Sequence, residues 1–257
     1  MTEDDTWSTL KTFTEARIGL GRSGSALPTS EVLKFSLAHA RARDAVTKPT
    51  DWPALSESIE GLGLEAIVIE SAAETRDIYL RRPDLGRTLS VRSRAALGDV
   101  AGEPADLVIM AGDGLSSTGL TANVAALIKA LLPHVQKNGW RLAPILLAGQ
   151  ARVALADEAG EILRARSALV LIGERPGLSS PDSLGAYLTY EPRLGRNDAE
   201  RNCVSNIRHG GLGYDEAAFK IAWLLTQALK FRMTGVALKD ESDQAVVTGH
   251  DLPRIGG

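Results

Sequence analysis

Apolar positions follow two rhythms along this chain. Residues 107–110 (LVIM), 145–147 (ILL) and 168–172 (ALVLI) are short, unbroken apolar runs bounded by glycine or polar turns. That is the pattern of strands buried on both faces. Between the first two, Leu120, Val124, Leu127, Leu131 and Val135 recur at steps of three and four. The spacing predicts a helix that stops at Asn138-Gly139. A shorter helix passes through Glu161, Ile162 and Leu163. A last helix is expected over 215–233, with Ala218, Ile221, Ala222, Leu225, Ala228 and Leu229 on one face and Gly235 as its stop. Residues 186–190 read as a further strand. Strands alternating with helices predict an α/β fold: a Rossmann-like, mostly parallel sheet with helices on both faces.

The first sixty residues read differently. Phe35, Ala38, Ala42 and Ala45 form one apolar face of a helix over 31–46, with Thr29 or Ser30 as the N-cap. A short helix over 51–60 has Asp51 as its cap and Pro53 in its first turn. Residues 64–69 look like a strand. The expected organisation is a largely helical N-terminal arm over 1–60, an α/β ligand-binding domain over 61–238 and a polar tail over 239–257 without fixed structure. Gly19, Gly21 and Gly24 match a dinucleotide G-x-G-x-x-G in form. That motif needs a buried strand before it and a helix directly after it. Neither is present, so these glycines read as a loop.

The stretch GERPGLSSPDSLGAYLTY (173–190) follows the third apolar run directly. Ligands of open α/β sheets sit beyond the carboxyl ends of strands. Glu174 and Arg175 stand at such an end. They are either the polar groups that hold a ligand or an ion pair that fastens the loop. A second cluster, Arg81, Arg82 and Arg87, surrounds a proline turn. It reads as an anion or partner contact, or as a surface patch paired with Asp77 and Asp84.

Composition narrows the function. A formal net charge of −3 over 257 residues gives no polyanion-binding footprint, so nucleic acid is not an expected partner. No apolar stretch approaches the roughly 18–20 residues that span a bilayer. The opening MTEDDTWSTL lacks the pattern of a signal peptide, and a cytoplasmic location is expected. One cysteine, Cys203, excludes an internal disulfide and suits that compartment. The four histidines (His39, His134, His209 and His250) show no metal spacing. No nucleophile elbow and no P-loop is present. The residues describe a ligand-holding α/β domain better than a self-sufficient enzyme.

Longer motifs say more. GERPGLSSPDSLGAYLTY followed by AERNCVSNIRHGG resembles the small subunits of ethanolamine ammonia-lyases. So do ARIGLGRSG, LAHARARDAV, YLRRPDLGR, AGDGLSS and ARVALADEAGEIL, in the same order, over residues 16–233. The resemblance implies an adenosylcobalamin-dependent enzyme that converts ethanolamine to acetaldehyde and ammonia by radical chemistry. It implies a TIM-barrel large subunit as partner, holding the substrate, with this chain clamping cobalamin at the interface. It assigns no catalytic residue here and three cofactor contacts: Val153 in ARVALADE, Glu174 in GERPG and Cys203 in RNCVSN.

None of the histidines stands in the D-x-H-x-x-G pattern that replaces the cofactor's lower base, so base-on binding is expected. Enteric members of the family carry a longer N-terminal extension that directs the enzyme to a bacterial microcompartment. This chain starts almost at the shared pattern, so delivery to a microcompartment through this subunit does not carry over with the rest; the enzyme is expected in the cytoplasm, either enclosed by way of the large subunit or without a shell. The alternative reading is a standalone α/β module for a cofactor or nucleotide.

Overall fold

The computed structural model describes residues 3–247. The arm holds α1 (Glu3–Lys11), α2 (Thr29–Thr47) and α3 (Trp52–Glu60). Then follow β1 (Ala66–Glu70), α4 (Arg76–Arg81), α5 (Val91–Val100), β2 (Leu107–Gly112), α6 (Ser117–Lys137) and β3 (Ile145–Gly149). The chain continues through α7 (Leu155–Ile162), β4 (Ser167–Gly173), β5 (Leu184–Tyr190), β6 (Asn202–Ile207), α8 (Tyr214–Phe231) and α9 (Ser242–Val247).

Six strands form one sheet in the order β1-β3-β2-β4-β5-β6. The first four run parallel, and β5 and β6 each run antiparallel to the inner neighbour. Every residue of β2, β3 and β4 is buried, which is why their sequences are continuous apolar runs. Successive side chains alternate between faces. Ile109, Leu147, Leu169 and Leu171 pack with α3, α6 and α8. Val108, Met110, Leu146 and Val170 pack with α5 and α7 on the other face. The expected α/β architecture with helices on both faces is therefore the observed one, extended by two antiparallel strands.

Several local expectations change. Asp51 caps α3 as expected, accepting from the Ala54 N–H at 3.1 Å. In contrast, α2 starts at Thr29 behind Pro28, without a side-chain cap. Its apolar face is buried only near its end, at Ala45, while Phe35 stays 47% exposed. Helix α8 ends at Arg232, itself left-handed, before Gly235 is reached. Gly19, Gly21 and Gly24 lie in a loop, each with positive φ. Within the segment read as a polar tail, residues 242–247 form α9, and Lys220 Nζ meets Asp243 at 2.5 Å. Residues 248–257 lie outside the described part.

One buried ion pair ties the antiparallel extension to the parallel half. Arg201, just before β6, donates to both carboxylate oxygens of Asp157 on α7, at 2.8 and 2.6 Å. It also donates to Thr189 Oγ1 on β5 at 2.7 Å. Both charged side chains are only 2% exposed. Desolvation disfavours the charge on Arg201, but the Asp157 carboxylate outweighs it and raises the guanidinium's pKa.

Removing one partner would strand the other charge in the interior. Arg201→Met is expected to lower unfolding stability by about 3–5 kcal/mol, whereas Arg201→Met with Asp157→Leu should recover most of that loss. Urea unfolding of the three proteins checks this. Equal losses in the single and double variants would contradict it.

Candidate functional site

The site is built where β4 crosses the loop between β2 and α6. The Leu115 N–H donates to the Gly173 carbonyl at 2.9 Å. A Cβ at Gly173 would fall on the Ser116 carbonyl, and one at Gly114 on the Gly173 carbonyl. Gly114 also needs its left-handed φ of +52°. Two backbones can approach this closely only without side chains between them. Ser116 then caps α6, accepting from the Gly119 N–H at 2.9 Å and donating to the Pro181 carbonyl at 2.8 Å. Asn123 on α6 donates to the Asp182 carbonyl at 2.7 Å. The start of α6 thereby anchors the far end of the 174–183 loop.

Asp113 organises the neighbouring turn. It is 5% exposed and accepts from the N–H groups of Gln150 and Ala151, each at 3.1 Å. Gln150 sits at φ +54°, so the chain turns sharply out of β3. Arg76 Nη1 lies 3.5 Å from Asp113 Oδ2. Burial raises the Asp113 carboxyl from its ordinary value, while Arg76 and the two amides oppose the rise. Tyr79 lies under the same turn, fully buried, and donates to the Ala151 carbonyl at 3.0 Å. The guanidinium carbons of Arg76 and Arg152 stack over its ring at 4.7 and 4.3 Å. Burial pushes the Tyr79 phenol up to about 12, so it remains a neutral donor.

A groove of about 490 Å³ opens above these turns, at the carboxyl ends of the parallel strands. Val153 and Glu174 both line it, beside Tyr79, Arg152, Arg175 and Tyr187. Glu174 does not pair with Arg175 among the described residues. Its Oε2 accepts from the Asn206 N–H at 3.2 Å, and its own N–H donates to the Ser183 carbonyl at 3.1 Å. Cys203 stands on β6, directly cross-strand from Tyr187 and outside the groove's lining. Cys203 is exposed, yet desolvation by its neighbours raises its thiol pKa; the Tyr187 hydroxyl opposes the rise and the Glu174 carboxylate adds to it.

Of the sequence candidates, Val153 and Glu174 come together in one groove, and Cys203 reaches its rim through Tyr187. The cluster of Arg81, Arg82 and Arg87 does not join them. Arg81 pairs with Asp77, and Arg82 grips Asp84 at 3.0 and 2.7 Å, all on the exposed surface. Sequence reasoning passed over Arg76, Tyr79, Arg152 and the role of Asp113. The turn AGDGLSS was the available signal for Asp113; the others are recognisable only from long-range contacts. Among the described residues no cluster of metal-ligating side chains occurs. Neutral hydroxyls, a carboxylate and guanidinium groups around an open groove suit binding and orienting a large polar ligand.

Comparison with known proteins shows the family. Residues 4–239 match the family described as Ethanolamine ammonia-lyase light chain (EutC). The ethanolamine ammonia-lyase small subunit of Bradyrhizobium diazoefficiens is 55% identical over 234 residues, covering 91% of this chain and 90% of that protein. The small subunit of Azotobacter vinelandii is 48% identical over 249 residues, covering 96% and 92%. That of Pseudomonas aeruginosa is 44% identical over 256 residues, covering 98% and 93%. Identity at this level over nearly the whole length places the chain in the family of ethanolamine ammonia-lyase light chains, the small subunits of a carbon–nitrogen lyase.

Proposed function

We propose that this chain clamps adenosylcobalamin against the large subunit of an ethanolamine ammonia-lyase, which converts ethanolamine to acetaldehyde and ammonia. The groove at the strand ends carries the reading, because Val153 and Glu174 line it together and Cys203 adjoins it through Tyr187. When bound, the cofactor supplies the radical chemistry by homolysis of its cobalt–carbon bond. This chain's residues bind and orient. Val153 offers an apolar contact at the start of α7. Glu174 is held in place by the Asn206 amide and keeps acceptor capacity for carboxamide or hydroxyl donors around a corrin. Cys203 presents a small neutral thiol at the rim.

The fit is partial, and that is informative. Sites that enclose small ligands measure about 300–1,000 Å³. A groove of about 490 Å³ can take an edge of a corrinoid with its tail, but cannot surround it. A second wall must come from the partner. The arm over residues 1–60 is proposed to help meet it. Phe13 is 82% exposed, Leu33 64% and Leu37 52%, more apolar surface than a free arm favours. The arm also reaches the end of the strand that carries Cys203: Arg208, directly after β6, has its Nη2 3.3 Å from Glu15 Oε2. Residues 61–238 then form the cobalamin-binding part. Among the described residues no histidine lines the groove, which fits a cofactor that keeps its own dimethylbenzimidazole on cobalt. A cytoplasmic site of action, free or within a microcompartment, belongs to the same proposal.

Spectral titration with adenosylcobalamin tests the clamp. The mixture of this chain with its large subunit should bind far more tightly than this chain alone; equal affinity in both would contradict a shared site. In the assembled enzyme, Glu174→Gln should weaken cobalamin binding about tenfold, the worth of one charge-assisted hydrogen bond. Unchanged affinity would remove Glu174 from the contact set.

The raised thiol makes a separate prediction. The thiol pKa of Cys203 is raised, so iodoacetamide should label it slowly at neutral pH and faster only in alkaline solution. In the assembled enzyme, adenosylcobalamin should slow that alkaline labelling, as read by mass spectrometry of the intact chain. Rapid labelling at neutral pH, or labelling indifferent to the cofactor, would refute the assignment.

A further inference from the structure

Beside the main groove lies a second one of about 250 Å³, lined by Val46, Leu80, Leu115, Arg152 and Arg175. Leu115, Arg152 and Arg175 line both grooves, so they form the saddle between them. The charges on this saddle are unbalanced. Asp113 is engaged by Arg76 and two backbone amides, and Glu174 by the Asn206 amide. Arg152 and Arg175 have no carboxylate within ion-pairing distance among the described residues.

The two arginines differ in how they are held. Arg152 is fixed from both ends: its N–H donates to the Gly86 carbonyl at 2.8 Å, and its guanidinium stacks on Tyr79. Its Nε is buried without a hydrogen-bond partner among the described residues. Such an orphaned donor is costly unless a ligand satisfies it. Arg175 is exposed, and its side chain makes no hydrogen bond or ion pair among the described residues. A guanidinium fixed in place and a second free to close on it form a two-sided grip for a tetrahedral oxyanion. The planar donor fork of arginine matches phosphate oxygens in pairs.

We propose that Arg152 and Arg175 form a phosphate-binding subsite that takes a phosphodiester monoanion. This rests on the cobalamin reading above, because the cofactor carries one such group in the nucleotide loop that joins its lower base to the corrin. The main groove would then face the corrin edge and the saddle its anionic tail. Phosphate in solution or on a free nucleotide shares the chemistry and is separated by the test.

The test compares adenosylcobalamin with adenosylcobinamide, which has the same corrin and upper ligand but no phosphodiester. Both are titrated spectrally into the assembled two-subunit enzyme, wild type and Arg175→Gln. Arg175→Gln removes no side-chain hydrogen bond or ion pair among the described residues, and an unchanged urea midpoint verifies its fold. The expected result is about tenfold weaker binding of adenosylcobalamin, with adenosylcobinamide affinity kept within about twofold. Arg152→Gln should show the same selective loss. Equal losses for both corrinoids, or none for either, would overturn the subsite while leaving the clamp standing. Wild-type enzyme that binds neither corrinoid would instead overturn the clamp, and the subsite with it. Competition by millimolar inorganic phosphate in a wild-type enzyme whose cobalamin affinity is indifferent to Arg175→Gln would assign the saddle to free phosphate and also overturn the proposal.

Discussion

The close crossing of Gly173 over the loop at Gly114 and Ser116 is the constraint on which the rest of the site depends. A parallel sheet leaves a crevice wherever neighbouring strands send their connections to different faces. Here that crevice is closed on one side by backbone packed on backbone, through the hydrogen bond from Leu115 to Gly173. The contact fixes where β4 ends and therefore where Glu174 and Arg175 begin. It also fixes the start of α6, whose Ser116 and Asn123 hold the far side of the 174–183 loop. A methyl group at Gly173 would have no room, since the obstruction is a carbonyl rather than a flexible side chain.

Around that crossing the protein spends its polar groups on holding turns. Asp113 secures the turn after β3, Tyr79 supports it from below, and Glu158 ties α7 to the turn before α5 through the Leu89 N–H at 2.7 Å. The Arg201–Asp157 pair fastens the antiparallel strands to α7. The result is a rigid rim above an open groove. Preorganised donors and acceptors lose little entropy on binding. In the function proposed above this groove is half of a site, and the large subunit that the small-subunit family implies forms its second wall.

Much of this was legible in the sequence, for physical reasons. Strands β2, β3 and β4 are buried on both faces, so their runs are uninterrupted and visible. The faces of α6 and α8 repeat at helical spacing because both lie along the sheet. Strand β6 escaped notice because only Val204 and Ile207 are buried, Asn206 is left-handed, and the pairing with β5 shifts register near Leu184. Helix α5 buries little beyond Ser93 and Leu97, too few positions to show a face. At the site, Glu174 and Arg175 stood out as charges at a strand end, whereas the cofactor-contact roles of Val153, Glu174 and Cys203 came from family motifs. Tyr79 was unreadable because its partner, the Ala151 carbonyl, lies 72 residues away.

The central claim is that this chain is half of a cofactor site and turns over nothing alone. Ammonia release from ethanolamine, with adenosylcobalamin present, tests it most directly. The assay takes this chain, the large subunit of the same enzyme, and the two combined. The account predicts release only from the combination. Release from the large subunit alone at the rate of the mixture would contradict it, and so would a mixture that associates yet stays inactive.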